Sequence, residues 1–133
     1  MSGFLLDTNA LLFLVSRSDR LSERALTPLE RGPRYVSQVC AIEIAIKLAL
    51  GKLILPPPFS TSFAHAFNEA VALAAADLLA IQLSHIEALS RLPLHHRDPF
   101  DRLIISQALV ENLTVVTRDR SFGLYPGLDV YEI

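Results

Sequence analysis

The first apolar segment of the chain ends in an acidic residue, and no other feature of the sequence constrains the fold as strongly. Residues 4–6 are apolar and precede Asp7, and a second apolar run at 10–15 follows almost at once. Burying a lone carboxylate costs several kcal/mol, because the charge loses its hydration. A fold that buries both apolar runs must therefore provide Asp7 with a compensating partner.

Three further acidic residues occupy similar positions. Glu43 lies inside the apolar run 39–50, and Asp101 stands before a Leu-Ile-Ile sequence. Asp119 comes directly after the β-branched run 113–117 and the arginine that follows it. Several such acids in one small chain suggest a shared partner, and a divalent cation is the simplest one.

The length and composition of the chain suit one ordinary domain. Its 133 residues are 51% hydrophobic, which is enough for a core without disulfides or other cross-links. We therefore expect a single domain over residues 1–133. The one cysteine, Cys40, lies in an apolar stretch, which excludes an internal disulfide and fits a reducing compartment.

The apolar segments are too short to span a membrane. Charged residues such as Glu43 and Lys47 interrupt them, and none approaches the roughly 20 apolar residues that a span requires. The start of the chain also lacks the basic region of an export signal, so we expect a cytoplasmic protein without membrane contact. A net charge of −2 gives no general attraction to nucleic acid, so any such role must depend on local basic residues or a metal ion.

Short strand patterns alternate with helical patterns along the whole chain. This alternation predicts parallel βαβ units, and hence an α/β fold: a three-layer α/β/α sandwich with a mostly parallel central sheet. The predicted strands are 4–6, 35–36, 78–83 and 113–117; the predicted helices start near Ala10, at Ser22, at Val39 (ending at Gly51), at Ser60 (to Ala76), at Ser84 with a capping box (to Leu92), and near Pro99.

The four acids are expected to converge on one end of this sheet. Asp7 and Asp119 follow strands, Asp101 lies in the first turn of a helix, and Glu43 projects from the helix after strand 35–36. Ligands of open parallel sheets gather at the carboxyl ends of the strands. A carboxylate cluster there suits Mg²⁺ or Mn²⁺, whose retained waters serve phosphodiester hydrolysis. The sequence therefore predicts a metal-dependent nuclease.

Each acid also has a structural alternative. Asp7 could cap the helix that follows it, and Asp119 could be an ordinary turn residue. Glu43 could simply pair with Lys47 four residues later on a helix surface. Asp98 precedes a proline and fits a helix N-cap, with a supporting metal or water contact as the alternative. No single acid is specific by itself.

Basic residues flank the predicted acidic pocket. Arg102 and Arg118 are the first candidates for substrate contacts, because guanidinium groups hold phosphates through paired hydrogen bonds. They could equally be neutralising neighbours of the acids or plain surface charges. His95 and His96 are adjacent, and neighbouring histidines do not easily share a tetrahedral zinc ion.

Four phrases in this order resemble the PIN-domain ribonucleases, and among them the VapC-type toxins of bacterial type II toxin–antitoxin pairs. The resemblance spans nearly the whole chain. The phrases are LLDTNALL at 5–12, EIAIK at 43–47 followed by LGKL at 50–53, HRDPFDRLIISQA at 96–108, and TRD at 117–119.

The resemblance implies a Mg²⁺- or Mn²⁺-dependent endoribonuclease. Asp7, Glu43, Asp101 and Asp119 match the acidic quartet of the family. Metal ligation would fall to Asp7 and Asp101, while Glu43 and Asp119 would complete the pocket and position the water. The small polar residues that match supporting positions are Thr8, Asn9 and Thr117. Members usually form homodimers, cut structured or translation-related RNA, and are silenced by a cognate antitoxin that inserts into the active-site groove.

Two other functions remain open at this point. One is an inactive PIN module that binds RNA or a partner protein, which usually lacks one or more of the acids. The other is a metal-dependent phosphatase or DNA nuclease, because the same carboxylates would serve any phosphate ester. Sensitivity to the ribose hydroxyl separates RNA cleavage from DNA cleavage.

Overall fold

A computed structural model describes residues 3–16, 27–95 and 97–133 of the chain. The helix predicted to start at Ser22 and the side chain of His96 lie outside these residues. The elements are β1 (Phe4–Leu6), α1 (Thr8–Ser16), β2 (Arg34–Ser37), α2 (Gln38–Ala49), α3 (Phe63–Leu73), β3 (Asp77–Leu79), α4 (Leu83–Ser90), α5 (Pro99–Glu111), β4 (Thr114–Thr117) and β5 (Val130–Glu132), with 3₁₀ helices at Thr27–Arg31 and Arg120–Leu124.

The five strands form one sheet in the order β3-β2-β1-β4-β5, and every neighbouring pair is parallel. The chain runs outward from β1 to β3, then crosses back to β4 on the other side of β1. Right-handed crossovers that run in opposite directions place their helices on opposite faces of the sheet. The predicted three-layer α/β/α sandwich is therefore confirmed, with a sheet that is parallel throughout.

The core lies on both faces of the two central strands. Leu5 and Leu6 of β1 and Val115 and Val116 of β4 are fully buried, as is Val36 of β2. Strands covered by helices on both faces need apolar side chains at consecutive positions, because neither face contacts water. This requirement explains the continuous apolar runs that stand before Asp7 and Asp119.

The start and end of α2 follow the sequence prediction. The Ser37 hydroxyl accepts a hydrogen bond from the Val39 N–H at 2.9 Å and so caps the helix. At the other end Gly51 adopts φ 71°, a left-handed conformation that favours glycine. Glu43 is thus fixed at the middle of a well-defined helix.

Other predicted boundaries were wrong. The strand predicted at 78–83 is only Asp77–Leu79, and the helix predicted at 60–76 is Phe63–Leu73. The predicted Ser84 cap is also wrong, because the N-cap of α4 is Gln82, two residues earlier. The Gln82 N–H donates to Nδ1 of the buried His85 ring at 2.9 Å, an acceptor that the capping-box pattern of serine and glutamate does not include.

A buried polar chain connects β2 with α4 and α5. The Ser37 hydroxyl donates to the side-chain oxygen of Gln107, whose amide nitrogen donates to the Ala80 carbonyl at 3.4 Å. Next to it, Nε2 of His85 lies 2.8 Å from a Glu111 carboxylate oxygen. Since Nδ1 of His85 accepts a backbone N–H, Nε2 carries the proton and donates it. These contacts fix α5 against the carboxyl end of β2.

No helix within the described ranges has the length and apolar character needed to cross a membrane.

Candidate functional site

The candidate site lies where the direction of the sheet connections reverses. β1 and β4 are neighbours, and the chain leaves the two strands toward opposite edges of the sheet. Such a reversal opens a crevice at the carboxyl ends of the strands, where α/β proteins bind their ligands. Asp7 follows β1 directly and Asp119 stands two residues after β4, so the topology brings both to this crevice.

Asp7 is held rigidly between β1 and β4. Its side chain is 3% exposed. Oδ1 accepts the Ala10 N–H at 2.7 Å, and Oδ2 accepts the Thr117 hydroxyl at 2.5 Å. The Thr117 oxygen in turn accepts the Asp119 N–H at 3.0 Å. Asp7 therefore caps α1, as one structural alternative predicted, and also faces the crevice beside Thr117.

Glu43 enters the site from α2 and is 4% exposed. Its Oε1 accepts the Thr8 hydroxyl at 2.6 Å. Its Oε2 lies 2.6 Å from the ammonium nitrogen of Lys47, whose side chain is 39% exposed. The predicted pair with Lys47 exists, but the carboxylate is inside the molecule rather than on a helix surface. Thr8 ties Glu43 to the end of β1.

Three further acids, Asp98, Asp101 and Asp119, stand at helix starts. Oδ1 of Asp98 accepts the N–H groups of Phe100 and Asp101 at 2.9 and 3.2 Å, which confirms its predicted role as the N-cap of α5. Asp101 is half-buried in the first turn of that helix. Oδ1 of Asp119 accepts both the N–H and the hydroxyl of Ser121, at 2.9 and 2.8 Å. Asp119 thus also has the turn role that its alternative predicted.

The acids influence one another electrostatically. Burial raises the pKa of Asp7 to about 6, and the charges of Glu43 and Asp119 add to the rise, while two hydrogen bonds oppose it. Burial likewise raises the pKa of Asp101 to about 7, with repulsion from Asp98 and Asp7 as the next causes. The predicted cluster is therefore an electrostatic unit in which negative charge is costly.

The donor chemistry of the cluster fits a hard divalent cation. Carboxylate oxygens are the ligands that Mg²⁺ and Mn²⁺ prefer, and a cation would offset the burial and the mutual repulsion that raise the pKa of Asp7 and Asp101. Within residues 3–16, 27–95 and 97–133, no three His, Cys, Asp or Glu side chains are already arranged to hold an ion. His95 packs edge-on against Tyr125 with ring centroids 4.8 Å apart, away from any such arrangement.

The two candidate arginines have different surroundings. Arg102 uses both terminal nitrogens of its guanidinium group, which donate to the carbonyls of Pro93 and Leu92 at 2.9 and 3.1 Å. These contacts tie the segment before α5 to the helix. Arg118 is exposed, and its guanidinium carbon lies 4.3 Å from the centre of the Phe13 ring. Arg118 is therefore the better placed of the two to meet a phosphate.

An apolar groove that was not predicted from the sequence lies along α1. It has a volume of about 710 Å³, and Asn9, Ser16 and Arg118 contribute its polar lining. Arg118 is the neighbour of Asp119 in sequence, and Asn9 follows Asp7 by two residues. Its apolar lining includes Phe13 of α1 and side chains around the triple proline, which had been interpreted as a spacer. The sequence signal that could have predicted the groove is the set of apolar residues on both sides of the prolines, namely Leu53, Leu55 and Phe59.

Comparisons with known proteins agree on one fold. The model of the PIN domain family matches residues 4–128. Similar solved structures include VapBC2 from Rickettsia felis bound to a DNA fragment from its promoter (16% identity, TM-score 0.75, 100% of this chain and 99% of that chain), DNA-bound VapBC from Salmonella typhimurium (18%, 0.71, 99% and 98%) and FitAcB from Neisseria gonorrhoeae (19%, 0.68, 97% and 96%). No curated protein matches the sequence. At these identities the structural likeness establishes the shared fold.

Proposed function

The chain belongs to the PIN domain family, and from this premise we propose that it is a Mg²⁺- or Mn²⁺-dependent endoribonuclease that acts as the toxin of a type II toxin–antitoxin pair. The observation that carries the proposal is the acidic cluster at the crevice between β1 and β4. Asp7 and Glu43 are almost completely buried there, and their charges act on Asp101. A fold has little reason to bury several mutually repelling carboxylates unless a cation joins them.

In the proposed mechanism Asp7 and Asp101 would be the main ligands of the metal ion. Glu43 and Asp119 would add carboxylate oxygens that complete the pocket and orient the attacking water. When bound, the ion would supply a water of lowered pKa and neutralise charge on the scissile phosphate. Glu43 is suited to this role because Thr8 holds its carboxylate in a fixed position on α2. Asp119 stands two residues after β4, where the Thr117 oxygen accepts its backbone N–H.

Two hydroxyl groups preorganise these acids. Thr117 donates to Asp7 and accepts the Asp119 N–H, so one side chain fixes two of the four positions. Thr8 fixes Glu43 in the same way. Sites whose ligands are held by surrounding hydrogen bonds need less rearrangement when substrate arrives. The supporting roles predicted for Thr8 and Thr117 are thus part of the proposal, and Asn9 lines the groove.

We assign RNA contact to Arg118 and the adjoining groove. The net charge of −2 provides no general attraction to a polyanion, so a local cation must bring the backbone to the acids. Arg118 lies at the edge of the groove with Phe13 beneath its guanidinium group. Splayed bases of a single-stranded loop would find apolar surface there for stacking. We assign Arg102 a structural role, because its guanidinium group already donates to two backbone carbonyls.

The proposed protein partner is a cognate antitoxin. Several solved structures similar to this chain are toxin–antitoxin complexes, among them one from Klebsiella pneumoniae. A segment of an antitoxin with apolar side chains and an acidic group would match the groove, whose polar lining includes the Arg118 guanidinium group. Binding there would cover the route to the acids.

We further propose a homodimer in the cytoplasm. Ile42 and Ile46 lie one helical turn apart on α2, and their side chains are 41% and 42% exposed. Apolar side chains at this spacing form a stripe that a second copy could cover. Light scattering at micromolar concentration tests the proposal, and a monomer there would refute it.

Cleavage of total cellular RNA by purified, antitoxin-free protein tests the activity. We expect discrete new 5′ ends in Mn²⁺ or Mg²⁺, none in EDTA, and none with Asp101→Asn. The matched control is Asp129→Asn, because Asp129 is exposed and lies before β5, at the opposite end of the sheet.

Two parallel substrates distinguish the alternatives. Equal cutting of single-stranded DNA of the same sequence would indicate a nuclease without selectivity for ribose, and hydrolysis of a small phosphate ester alone would indicate a phosphatase. A folded protein that binds RNA without cutting it would be a binding module. Cuts that persist in Asp101→Asn would refute the assignment of the acidic cluster.

A further inference from the structure

A lysine side chain reaches into the acidic cluster, and the proposed mechanism does not use it. The Lys47 ammonium nitrogen lies 2.6 Å from Oε2 of Glu43, on the opposite side of the carboxylate from the Thr8 hydroxyl. An ammonium group is charged at neutral pH, and the negative charges of Asp98 and Asp101 act on it beside that of Glu43. Lys47 therefore stays charged, and its charge acts on acids from two helices.

This contact occupies one carboxylate oxygen of the cluster. Thr8 and Lys47 together engage both oxygens of Glu43. The ammonium group lies where an ion bound to Oε2 would need space.

We propose that Lys47 is a built-in counter-ion of the cluster, which neutralises Glu43 in the metal-free protein and competes with a divalent cation for that carboxylate. The inference rests on the proposed metal site. It predicts that Lys47 weakens metal binding and that the metal-free fold depends on it.

Two properties of Lys47 favour competition with the metal ion over cooperation: its positive charge and its flexible side chain. A divalent ion and an ammonium group on the same carboxylate repel each other strongly, even with solvent screening. Lys47 carries its charge on a flexible four-carbon chain that is 39% exposed, so the ammonium group can move out to water when an ion arrives. The Lys47 end of the pair reaches solvent, so hydration of the released ammonium group offsets part of the cost of separating it from Glu43.

The test compares Lys47→Met with Lys47→Arg and with Lys52→Met. Methionine keeps most of the length of the side chain and the helix propensity but removes the charge. Arginine restores the charge. Lys52 is exposed just beyond α2 and serves as the matched control. Melting temperature in EDTA is followed by far-UV circular dichroism, since the chain has no tryptophan, and Mn²⁺ affinity is measured by calorimetry without RNA.

We expect Lys47→Met to melt at a lower temperature in EDTA and to bind Mn²⁺ roughly ten-fold more tightly, as the loss of one nearby positive charge predicts. Its melting temperature should rise more on addition of Mn²⁺ than that of the wild type. Lys47→Arg and Lys52→Met should behave like the wild type.

Equal or weaker Mn²⁺ binding by Lys47→Met would overturn the inference, and weaker binding would mean that Lys47 positions Glu43 for the metal. Absence of Mn²⁺ binding in every variant would overturn it as well. If Lys47→Met does not fold in EDTA, recovery of its fold by Mn²⁺ decides the question, and failure to recover counts against competition. A wild type that binds Mn²⁺ but cuts no RNA would refute the proposed function and leave this inference standing.

Discussion

Replacement of Asp7 by asparagine should stabilise the metal-free protein at neutral pH, although it removes a proposed metal ligand. Burial raises the pKa of Asp7 from 3.8 to about 6. Each pKa unit corresponds to about 1.4 kcal/mol, so keeping this carboxylate ionised in the folded chain costs about 3 kcal/mol at neutral pH and above. Asparagine has nearly the same volume and carries no charge.

The substitution also removes a hydrogen bond, and this loss reduces the net gain in the free energy of unfolding. The asparagine oxygen can still accept the Ala10 N–H, but the Thr117 hydroxyl loses the carboxylate to which it donates. A hydrogen bond of this kind contributes about 1 kcal/mol. We therefore expect Asp7→Asn to raise the free energy of unfolding by about 2 kcal/mol near pH 8 in EDTA.

The pH dependence gives the sign of the effect. Because the pKa of Asp7 is higher in the folded chain than in the unfolded chain, the folded chain holds its proton longer as pH rises. This carboxyl group therefore lowers the stability of the wild type progressively between about pH 4 and pH 6. The advantage of Asp7→Asn should be full above this window and absent below it.

The assay is urea unfolding followed by circular dichroism, in EDTA, at several pH values from about 4 to about 8. Asp129→Asn is the control, because its carboxylate is exposed. The reasoning fails if Asp7→Asn is less stable than the wild type at about pH 8, or if its advantage is the same at both ends of the range.

Three further predictions concern activity, binding and stability. In filter binding, Arg118→Ala should weaken RNA binding and lower its salt dependence by about one phosphate contact. Arg120→Ala, at an exposed position, should do neither. Equal effects of the two substitutions would contradict the assignment of RNA contact to Arg118. Thr117→Val should reduce cleavage and shift its pH profile upward, because Asp7 loses a hydrogen bond that lowers its pKa; an unchanged profile would contradict this. Gln107→Leu should lower the free energy of unfolding by about 2 kcal/mol in urea, because buried polar partners lose their contacts; a neutral result would mean that the polar chain contributes little.

Much of the fold could be predicted because the central strands are strongly patterned. β1 and β4 have apolar side chains at successive positions, as strands covered on both faces require. β5 was missed because Val130–Glu132 is short and only partly buried, and it becomes a strand through pairing with β4. A partner more than ten residues away leaves no local signal in so short a segment.

The acidic positions could be predicted for a related reason. Residues that follow parallel strands meet at one end of the sheet, so the spacing of Asp7 and Asp119 already placed them together. The direction of long side chains could not be predicted in this way. Arg102 turns to the carbonyls of the segment before α5, and Lys47 turns into the cluster, because each finds partners there that sequence spacing does not specify.

The hydrogen bond between Asp7 and Thr117 joins residues 110 positions apart. Chains are synthesised from the amino end, and Asp7 is made long before its partner. Until residue 117 has left the ribosome, β4 cannot lie beside β1, and the first and last acids of the cluster remain apart. Any activity of this site therefore begins only after β4 has been synthesised and has paired with β1, so we expect a product truncated before β4 to be inactive.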